Sequence, residues 1–108
     1  IKIKMNKNNL LIIIPAYNEE QVIENVLKDW LNMSLSIDFK ILVINDGSKD
    51  KTSQIIDKLI ITNDKIIKID KINSGHGNTI IDGYKYAINN NYGLIFQTDS
   101  DDQFKPKD

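Results

Sequence analysis

Cysteine is absent from this 108-residue chain, which excludes disulfides, thiolate catalysis and cysteine-ligated zinc sites. Histidine occurs once, at His76, so a histidine-rich metal site is excluded as well. Arginine is also missing, and the 14 lysines are balanced by 15 acidic residues, for a formal net charge of −1. Because the lysines are interspersed with acids and form no basic face, we expect no nucleic-acid partner.

Long apolar segments are missing too. The longest apolar run, residues 10–14, is far shorter than the roughly 20 residues that cross a bilayer as a helix. Residues 1–7 lack the apolar core of a signal peptide. A hydrophobic content of 41% and a charged content of 27% are typical of a globular domain, so we expect one cytoplasmic domain without a membrane segment.

The chain instead contains a regular alternation of strand and helix patterns. Apolar runs bounded by turn residues predict four strands. These runs are residues 10–14, 39–44, 65–70 and 94–96. Their alternation with helices predicts a mostly parallel sheet with helices on both sides, a three-layer α/β/α architecture. Charged residues interleave with apolar ones in the third strand, which favours the edge of the sheet for it.

Three helices are predicted from apolar residues at helical spacing. Their predicted buried faces are Val22, Ile23, Val26, Leu27, Trp30 and Leu31 in the first, Ile55, Ile56, Leu59 and Ile60 in the second, and Ile80, Ile81, Tyr84, Ala87 and Ile88 in the third. We expect Asn18 to cap the first helix, with Gln21 as its capping-box partner. Asp50 or Thr52 is expected to cap the second.

The fourth predicted strand is apolar on both faces, as a central strand of a parallel sheet would be. The chain ends about ten residues later, so nothing in it can cover the far side of that strand. We therefore expect residues 1–108 to be the front part of a longer domain. The uncovered strand offers a surface for self-association.

An acidic cluster follows this strand at once, with Asp99, Asp101 and Asp102 grouped around Ser100. Side chains alternate along an extended segment, so Asp99 and Asp101 should project to the same side. Ligands of open α/β sheets bind at the carboxyl ends of the strands. The two carboxylates are therefore predicted to share Mg²⁺ or Mn²⁺ with a diphosphate. The alternative is a solvated acidic turn whose aspartates cap a helix.

Two earlier loops also favour a nucleotide site. Tyr17, after the first strand, offers a flat face for a base, and the exposed N–H groups of the following helix favour anions. Asp46, at the end of the second strand, can accept hydrogen bonds from a ribose diol or a base imide, and Gly47 lets the chain turn there. Each loop also has a plainer explanation, as a strand-to-helix turn or as an Asp-Gly turn before a capped helix.

The glycine-rich segment 75–78 can line a sugar-phosphate pocket with its backbone N–H groups. It matches a dinucleotide fingerprint only superficially, because Ile80 stands at the position of the third glycine and the segment follows the third strand. A phosphate-binding P-loop is excluded because no Gly-Lys-Ser/Thr follows. His76 is interpreted as an ordinary loop histidine rather than a catalytic one.

In order and spacing, four motifs resemble the nucleotide-binding half of the inverting family 2 glycosyltransferases, which have the GT-A fold. The motifs are Pro-Ala-Tyr-Asn-Glu at 15–19, Asn-Asp-Gly-Ser-x-Asp at 45–50, Gly-His-Gly-Asn-Thr at 75–79 with Gly83 later, and Asp-Ser-Asp-Asp-Gln at 99–103. The resemblance extends over residues 10–106. This chain departs from the family pattern at Asn45, where aspartate is usual, and at Asp102, which is often leucine. Alanine is also commoner at Asn78 or Thr79.

The resemblance implies a truncated nucleotide-diphospho-sugar transferase domain with strand order 3-2-1-4. Its implied activity is inverting transfer of a sugar from a UDP- or GDP-sugar to an acceptor hydroxyl or polyprenyl phosphate, in cell wall or polysaccharide biosynthesis. The implied nucleotide-binding residues are Pro15, Ala16, Tyr17, Glu19, Asp46, Gly75, Asn78 and Asp99. Ser100 and Gln103 would lie near the donor sugar or the metal shell. Asp99 and Asp101, the DXD motif, would hold Mg²⁺ or Mn²⁺.

In such enzymes the general base lies beyond the point that corresponds to residue 108, so no catalytic residue is assigned in this chain. We expect it to bind nucleotide without turnover, and membrane helices further along a full-length protein would attach it to a membrane. Two alternatives stay open. A nucleotidyltransferase of related fold would open with a Gly- and Arg-rich loop, which this chain lacks. A non-catalytic α/β binding module would leave the acidic cluster solvated.

Overall fold

The computed structural model describes residues 9–100, which form four strands alternating with three helices. The elements are β1 (Asn9–Ala16), α1 (Ile23–Leu31), β2 (Asp38–Asp46), α2 (Thr52–Thr62), β3 (Ile66–Lys71), α3 (His76–Asn89) and β4 (Leu94–Gln97). Every strand and helix predicted from the sequence is therefore present. No helix in this described part is long and apolar enough to cross a membrane.

The sheet is parallel throughout, with the order β3-β2-β1-β4, so the predicted strand order and parallel pairing are confirmed. Ile12 of β1 pairs with Ile41 of β2 on one side and with Phe96 of β4 on the other. The β3 strand lies at one edge, as its interleaved charges predict. The β4 strand lies at the other edge of the described sheet.

Alternation along the strands divides the core between the two faces of the sheet. Ile12 and Ile14 join α1 and α2 in one buried cluster, which includes Trp30. Leu11 and Ile13 join a second, smaller cluster with Ala87 of α3. The predicted three layers are confirmed, because helices pack on both faces.

The first strand continues two residues beyond its predicted end. Pro15 pairs in register with Ile44, although proline lacks a backbone N–H. The backbone oxygen of Ile13 accepts from the N–H of Thr98, just past the end of β4. The backbone nitrogen of Pro15 points to the same side as the backbone oxygen of Ile13. Because β4 ends before this point, a backbone N–H at residue 15 would have no strand partner, and the proline removes no hydrogen bond from the sheet.

The predicted start of the first helix is wrong. The α1 helix begins at Ile23, and its N-cap position, Val22, makes no side-chain capping bond. Asn18 instead has a positive φ of 51°, and its side chain accepts a hydrogen bond from the backbone N–H of Lys49. Because the Asn18 side chain is bound to another loop, it does not cap the helix, and a turn closed by the backbone oxygen of Glu19 precedes α1.

The predicted buried face of the third helix is also wrong in part. Ala87 is buried, but Ile81, Tyr84 and Ile88 are exposed. Small residues turn toward the sheet instead. A Cβ atom at Gly83 would lie only 2.6 Å from Cγ2 of Ile13. The helix therefore approaches the sheet too closely for large side chains, and these project sideways.

Candidate nucleotide site

A cleft of about 280 Å³ lies where the carboxyl ends of β1, β2 and β4 meet the start of α3. Its lining residues are Pro15, Ala16, Tyr17, Glu19, Asp46, Asn73, Gly75, His76, Thr79, Asp99 and Ser100. Parallel strands bring these separate loops to one rim, because their carboxyl ends lie at the same edge of the sheet. The cleft therefore combines residues from all four sequence motifs.

Asp46 anchors one wall of the cleft. Its side chain is almost fully buried at 4% exposure, at the end of β2. One carboxylate oxygen accepts from the N–H of Ser74 at 2.8 Å, and the other accepts from the N–H of Gly75 at 3.0 Å. The amide of Asn73 donates to the backbone oxygen of Asp46 at 3.0 Å and approaches its carboxylate at 3.4 Å. These bonds fix the path of the loop between β3 and α3.

Two glycines permit this close arrangement. Gly47 has a φ of +73°, and a Cβ there would lie 2.7 Å from the backbone nitrogen of Asn73. Gly75, at the N-cap of α3, has a φ of +96°. Both conformations favour glycine. The first turn of α3, at His76, thereby begins beside the cleft, where its backbone N–H groups carry partial positive charge.

A second wall is formed by the end of β1 and the residues after it. Pro15 and Ala16 are buried. Tyr17 is 44% exposed at the rim, where its ring has room to contact a ligand. Glu19 also lines the cleft. This wall therefore offers a tight backbone segment followed by an aromatic face and a carboxylate.

The third wall begins directly after β4. Asp99 is exposed, and its carboxylate oxygen lies 3.7 Å from Nε2 of His76, a pair that is ionic only when the imidazole is protonated. Ser100 is buried at 3% exposure and lines the same cleft. The N–H of Thr98 donates to the backbone oxygen of Ile13, which fixes where this segment leaves the sheet.

Most of the residues predicted for the site lie together around this cleft. The residues concerned are Pro15, Ala16, Tyr17, Glu19, Asp46, Gly75, Asp99 and Ser100. Asn78 is outside the lining, and its side-chain amide donates to the backbone oxygen of Ser74. Asp101 and Gln103, like Asp102, lie outside the described residues.

Three lining residues were not singled out from the sequence. Asn73 and Thr79 flank the glycine-rich turn, and His76 was interpreted as an ordinary loop residue. The hydroxyl of Thr79 donates to the backbone oxygen of Gly75, which also accepts from the N–H of Thr79, so this side chain bonds back to its own helix turn at the cleft. Its position one helical turn after Gly75 was the available signal, because residues four apart share a helix face.

The oxygen ligand that Asp99 offers is suitable for a hard divalent cation. Mg²⁺ is commonly held by one or two carboxylates together with substrate phosphates, and Mn²⁺ also prefers oxygen ligands. Asp99 supplies one such carboxylate at the edge of the cleft. Within residues 9–100, no group of three or more acidic, histidine or cysteine side chains could hold a metal by itself. A metal ion bound at Asp99 would therefore need further ligands from a bound phosphate group or from Asp101.

Comparison with known proteins relates most of this chain to one family. The model of the family described as Glycosyl transferase family 2 matches residues 11–108. An uncharacterized protein of Methanocaldococcus jannaschii is 39% identical over 103 residues. A UDP-N-acetylglucosamine–dolichyl-phosphate N-acetylglucosaminyltransferase of Methanococcus voltae is 33% identical over 112 residues. In both alignments 92% of this chain is covered, but the chain spans only 43% of the relative's length.

The fold is similar to that of a solved structure. S. aureus TarS in complex with UDP superimposes with a TM-score of 0.71 at 25% sequence identity. The match covers 86% of this chain and 27% of the TarS chain. The described sheet and helices thus correspond to part of the TarS chain.

Proposed function

We propose that residues 1–108 of this chain, which belongs to glycosyltransferase family 2, form the nucleotide-binding part of a sugar transferase. The donor would be a UDP- or GDP-sugar. The M. voltae relative is named for a UDP-sugar donor, and the TarS structure holds UDP, which supports this class of ligand. The activity belongs to the whole protein, of which this chain is proposed to supply one half of the site.

The observation that carries the proposal is the common cleft at the carboxyl ends of β1, β2 and β4. Four motifs that lie far apart in the sequence each contribute to its lining. One wall is aromatic, another is a buried carboxylate with fixed loop amides, and a third is an exposed carboxylate. A base needs a stacking face, a ribose needs hydrogen-bond acceptors, and a diphosphate needs a cation, which the exposed carboxylate can help to hold.

We assign the base and ribose to the wall formed by Pro15, Ala16, Tyr17 and Glu19, with Asp46 beside it. Tyr17 supplies the flat surface. The Asp46 carboxylate has one acceptor position left after its bonds to the 73–75 loop, since an ionised carboxylate offers about four. Gly75, at the start of α3, would face the phosphates, where the helix dipole favours anions.

Asp99, with Asp101, is proposed to hold Mg²⁺ or Mn²⁺ at the diphosphate. When bound, such an ion supplies Lewis-acid stabilisation of the charge on a leaving diphosphate. Ser100 and Gln103 would lie near the donor sugar or the metal shell. Asp99 and Ser100 are the members of this group whose surroundings are described, and both line the cleft.

The finer features of the reaction follow the family resemblance. We propose inversion at the anomeric carbon and an acceptor that is either a hydroxyl or a polyprenyl phosphate. The general base is assigned to a segment beyond residue 108, so this chain alone should bind nucleotide without turnover. Detection of sugar transfer by the 108-residue chain would contradict that assignment.

We also propose a cytoplasmic location for this part of the protein. Self-association through the β4 edge is a separate proposal, supported by the exposure of Leu94 and Phe96 beside that edge. Size-exclusion chromatography tests it. A strict monomer at high protein concentration would count against it.

Calorimetric titration with UDP and with GDP, each with and without Mn²⁺, tests the function. We expect one of the two to bind, and to bind more tightly with Mn²⁺. An Asp99→Asn substitution should remove the gain from Mn²⁺, whereas Asp64→Asn, after α2 at the opposite end of the sheet, should leave it unchanged. If a folded sample binds neither diphosphate, the non-catalytic binding module is the better explanation.

A further inference from the structure

Three consecutive backbone N–H groups after β1 donate to side chains of the β2–α2 loop and of the first residue of α2. The N–H of Asn18 donates to Oγ of Ser48 at 2.9 Å. The N–H of Glu19 donates to Oγ1 of Thr52 at 2.8 Å. The N–H of Glu20 donates to Oδ2 of Asp50 at 3.2 Å. The segment that carries the aromatic wall of the cleft is thus attached to a loop about 30 residues further along the chain.

Asp50 occupies the centre of this network. Its Oδ1 accepts from both the N–H and the hydroxyl of Thr52, at 2.9 and 2.6 Å, while its Oδ2 accepts from Glu20. Thr52 is fully buried, and its hydroxyl donates to Asp50 while accepting from Glu19. One carboxylate therefore orders two of the three loop amides, one directly and one through Thr52.

The attachment is completed from the other side. The side chain of Asn18 accepts from the N–H of Lys49 at 2.8 Å, and the N–H of Ser48 donates to Oδ1 of Asn45 at 3.1 Å. Ser48, Asp50 and Thr52 do not line the cleft, whereas Tyr17 and Glu19 do. The side chains that hold the segment are separate from those that would touch a ligand.

We infer that Asp50 is a positioning residue for the nucleotide cleft. Its carboxylate holds residues 17–20 in the geometry that presents Tyr17 and Glu19 to a ligand. The inference rests on the proposed function for its consequence, which is that Asp50 controls affinity for the nucleoside part of the ligand. Its effect on the diphosphate part is small, because Asp99 lies on a different wall. Preorganisation of a binding loop lowers the entropy cost of binding.

The competing explanation is that Asp50 serves only to start α2. An Asp50→Asn substitution separates the two roles. The amide oxygen of asparagine can keep both bonds from Thr52, and asparagine is a good residue before a helix. Its amide nitrogen would then face the N–H of Glu20, where no acceptor remains. The variant therefore keeps the helix start and loses the direct bond to the loop.

Calorimetry on the 108-residue chain should use two probes with Mn²⁺ present, the nucleoside diphosphate that the wild type binds and inorganic pyrophosphate. We expect Asp50→Asn to weaken nucleoside diphosphate binding by about tenfold, the effect of losing one hydrogen bond to a charged group. Pyrophosphate affinity should change by less than about twofold, because the loop does not contact it. Asp38→Asn, the same charge change at the start of β2, should alter neither affinity.

Unchanged nucleotide affinity in folded Asp50→Asn would overturn the inference, and so would an equal loss for both probes. Amide hydrogen exchange gives a second measurement that needs no ligand. The N–H of Glu20 should be protected in the wild type and exchange faster in Asp50→Asn, while α2 keeps its protection. If the wild type binds no nucleotide, the proposed function fails, and the exchange data alone then decide whether Asp50 positions the loop. Equal exchange at Glu20 in both proteins would show that it does not.

Discussion

The two faces of the sheet are packed differently. On one face, α1 and α2 cover a cluster of twelve buried residues that includes Trp30 and Phe39. On the other face, α3 is the one helix of residues 9–100 that covers a cluster of five, and its buried positions are Thr79, Gly83 and Ala87. The first face is stabilised by large interlocking side chains. The second depends on a helix backbone that lies close to the strands.

This difference shows that an apolar side chain on a helix is not necessarily a core residue. Ile88 of α3 is 69% exposed, whereas Ile56 of α2 is fully buried. A helix that packs through small residues turns its large ones toward its flanks. On α3 these flanks carry Ile81 and Tyr84, and the hydroxyl of Tyr84 lies 3.5 Å from Oε1 of Gln97 in β4.

The largest expected effect compares the same substitution on the two faces. Ile56→Ala should lower the free energy of unfolding by about 2–5 kcal/mol, because it leaves a cavity in a packed cluster. Ile88→Ala should change it by less than about 0.5 kcal/mol, as is usual for surface positions. Urea unfolding measures both. Similar losses for the two variants would mean that the faces do not differ as described.

A glycine pair tests the close approach of α3. Gly83→Ala should destabilise by about 1–3 kcal/mol, because its Cβ would overlap with Ile13. Gly77→Ala, in the same helix, has no atom within 4 Å of its added Cβ and should gain up to about 1 kcal/mol from helix propensity. Unfolding curves should therefore shift in opposite directions. A gain at both positions would contradict the tight packing of this face.

A smaller effect is expected at the polar border of the α1–α2 face, which is formed by Asn45 and Asp70. The side-chain amide of Asn45 donates to Asp70, its register partner in β3, at 2.9 Å. Asn45→Asp would place a second carboxylate there and should cost about 1–2 kcal/mol near neutral pH. The loss should shrink as the pH falls, because repulsion raises the pKa of one carboxyl of the pair, which then binds a proton in the folded state. An equal loss at all pH values would argue against repulsion as the cause.

The smallest predicted effect is the acid sensitivity of the same border. Partial burial acts to raise the pKa of Asp70, but hydrogen bonds from Asn45 and Lys68 and the charge of Lys68 outweigh it, so its pKa lies below the ordinary value of 3.8. The resulting stabilisation is complete above 3.8 and is lost as the pH falls through the lowered value. Since this side chain is half exposed, the effect should stay below about 1 kcal/mol.

Asp70→Asn should accordingly reduce the loss of unfolding free energy between about pH 6 and about pH 2.5. Urea unfolding across that range measures it. Asp38→Asn, at the opposite end of β2, serves as the control. An unchanged pH dependence in Asp70→Asn would show that Lys68 and Asn45 do not stabilise its ionised form.

The sequence predicted the sheet well because β1, β2 and β4 are mainly apolar runs, whereas β3 interleaves apolar with charged residues as an edge strand does. It located the cleft because a parallel sheet brings the residues after each strand to one rim. It failed at Asn18 and along α3. The role of Asn18 is set by bonds to Ser48 and Lys49, and the orientation of α3 by the fit of Gly83 against Ile13. Both depend on contacts between distant segments, which local patterns do not encode.

The reason why Asn45 departs from the family pattern is also evident only in the structure. From the sequence it was an unexplained difference from the family pattern, next to the residue assigned to the ribose or base. In the fold, Asn45 faces α2 and Asp70, while Asp46 faces the cleft. The side-chain amide of Asn45 thus donates to a neighbouring carboxylate rather than to a ligand.

The strand order also affects how the chain folds during synthesis. Leu10 of β1 pairs with Phe39, 29 residues further along the chain, but its other partner, Leu94, lies 84 residues away, beyond all three described helices. Contacts between distant segments form slowly, so we expect the β1–β2–β3 portion to assemble first and β4 to dock last. Until then one side of the most apolar strand is open to chaperones and to misfolded neighbours.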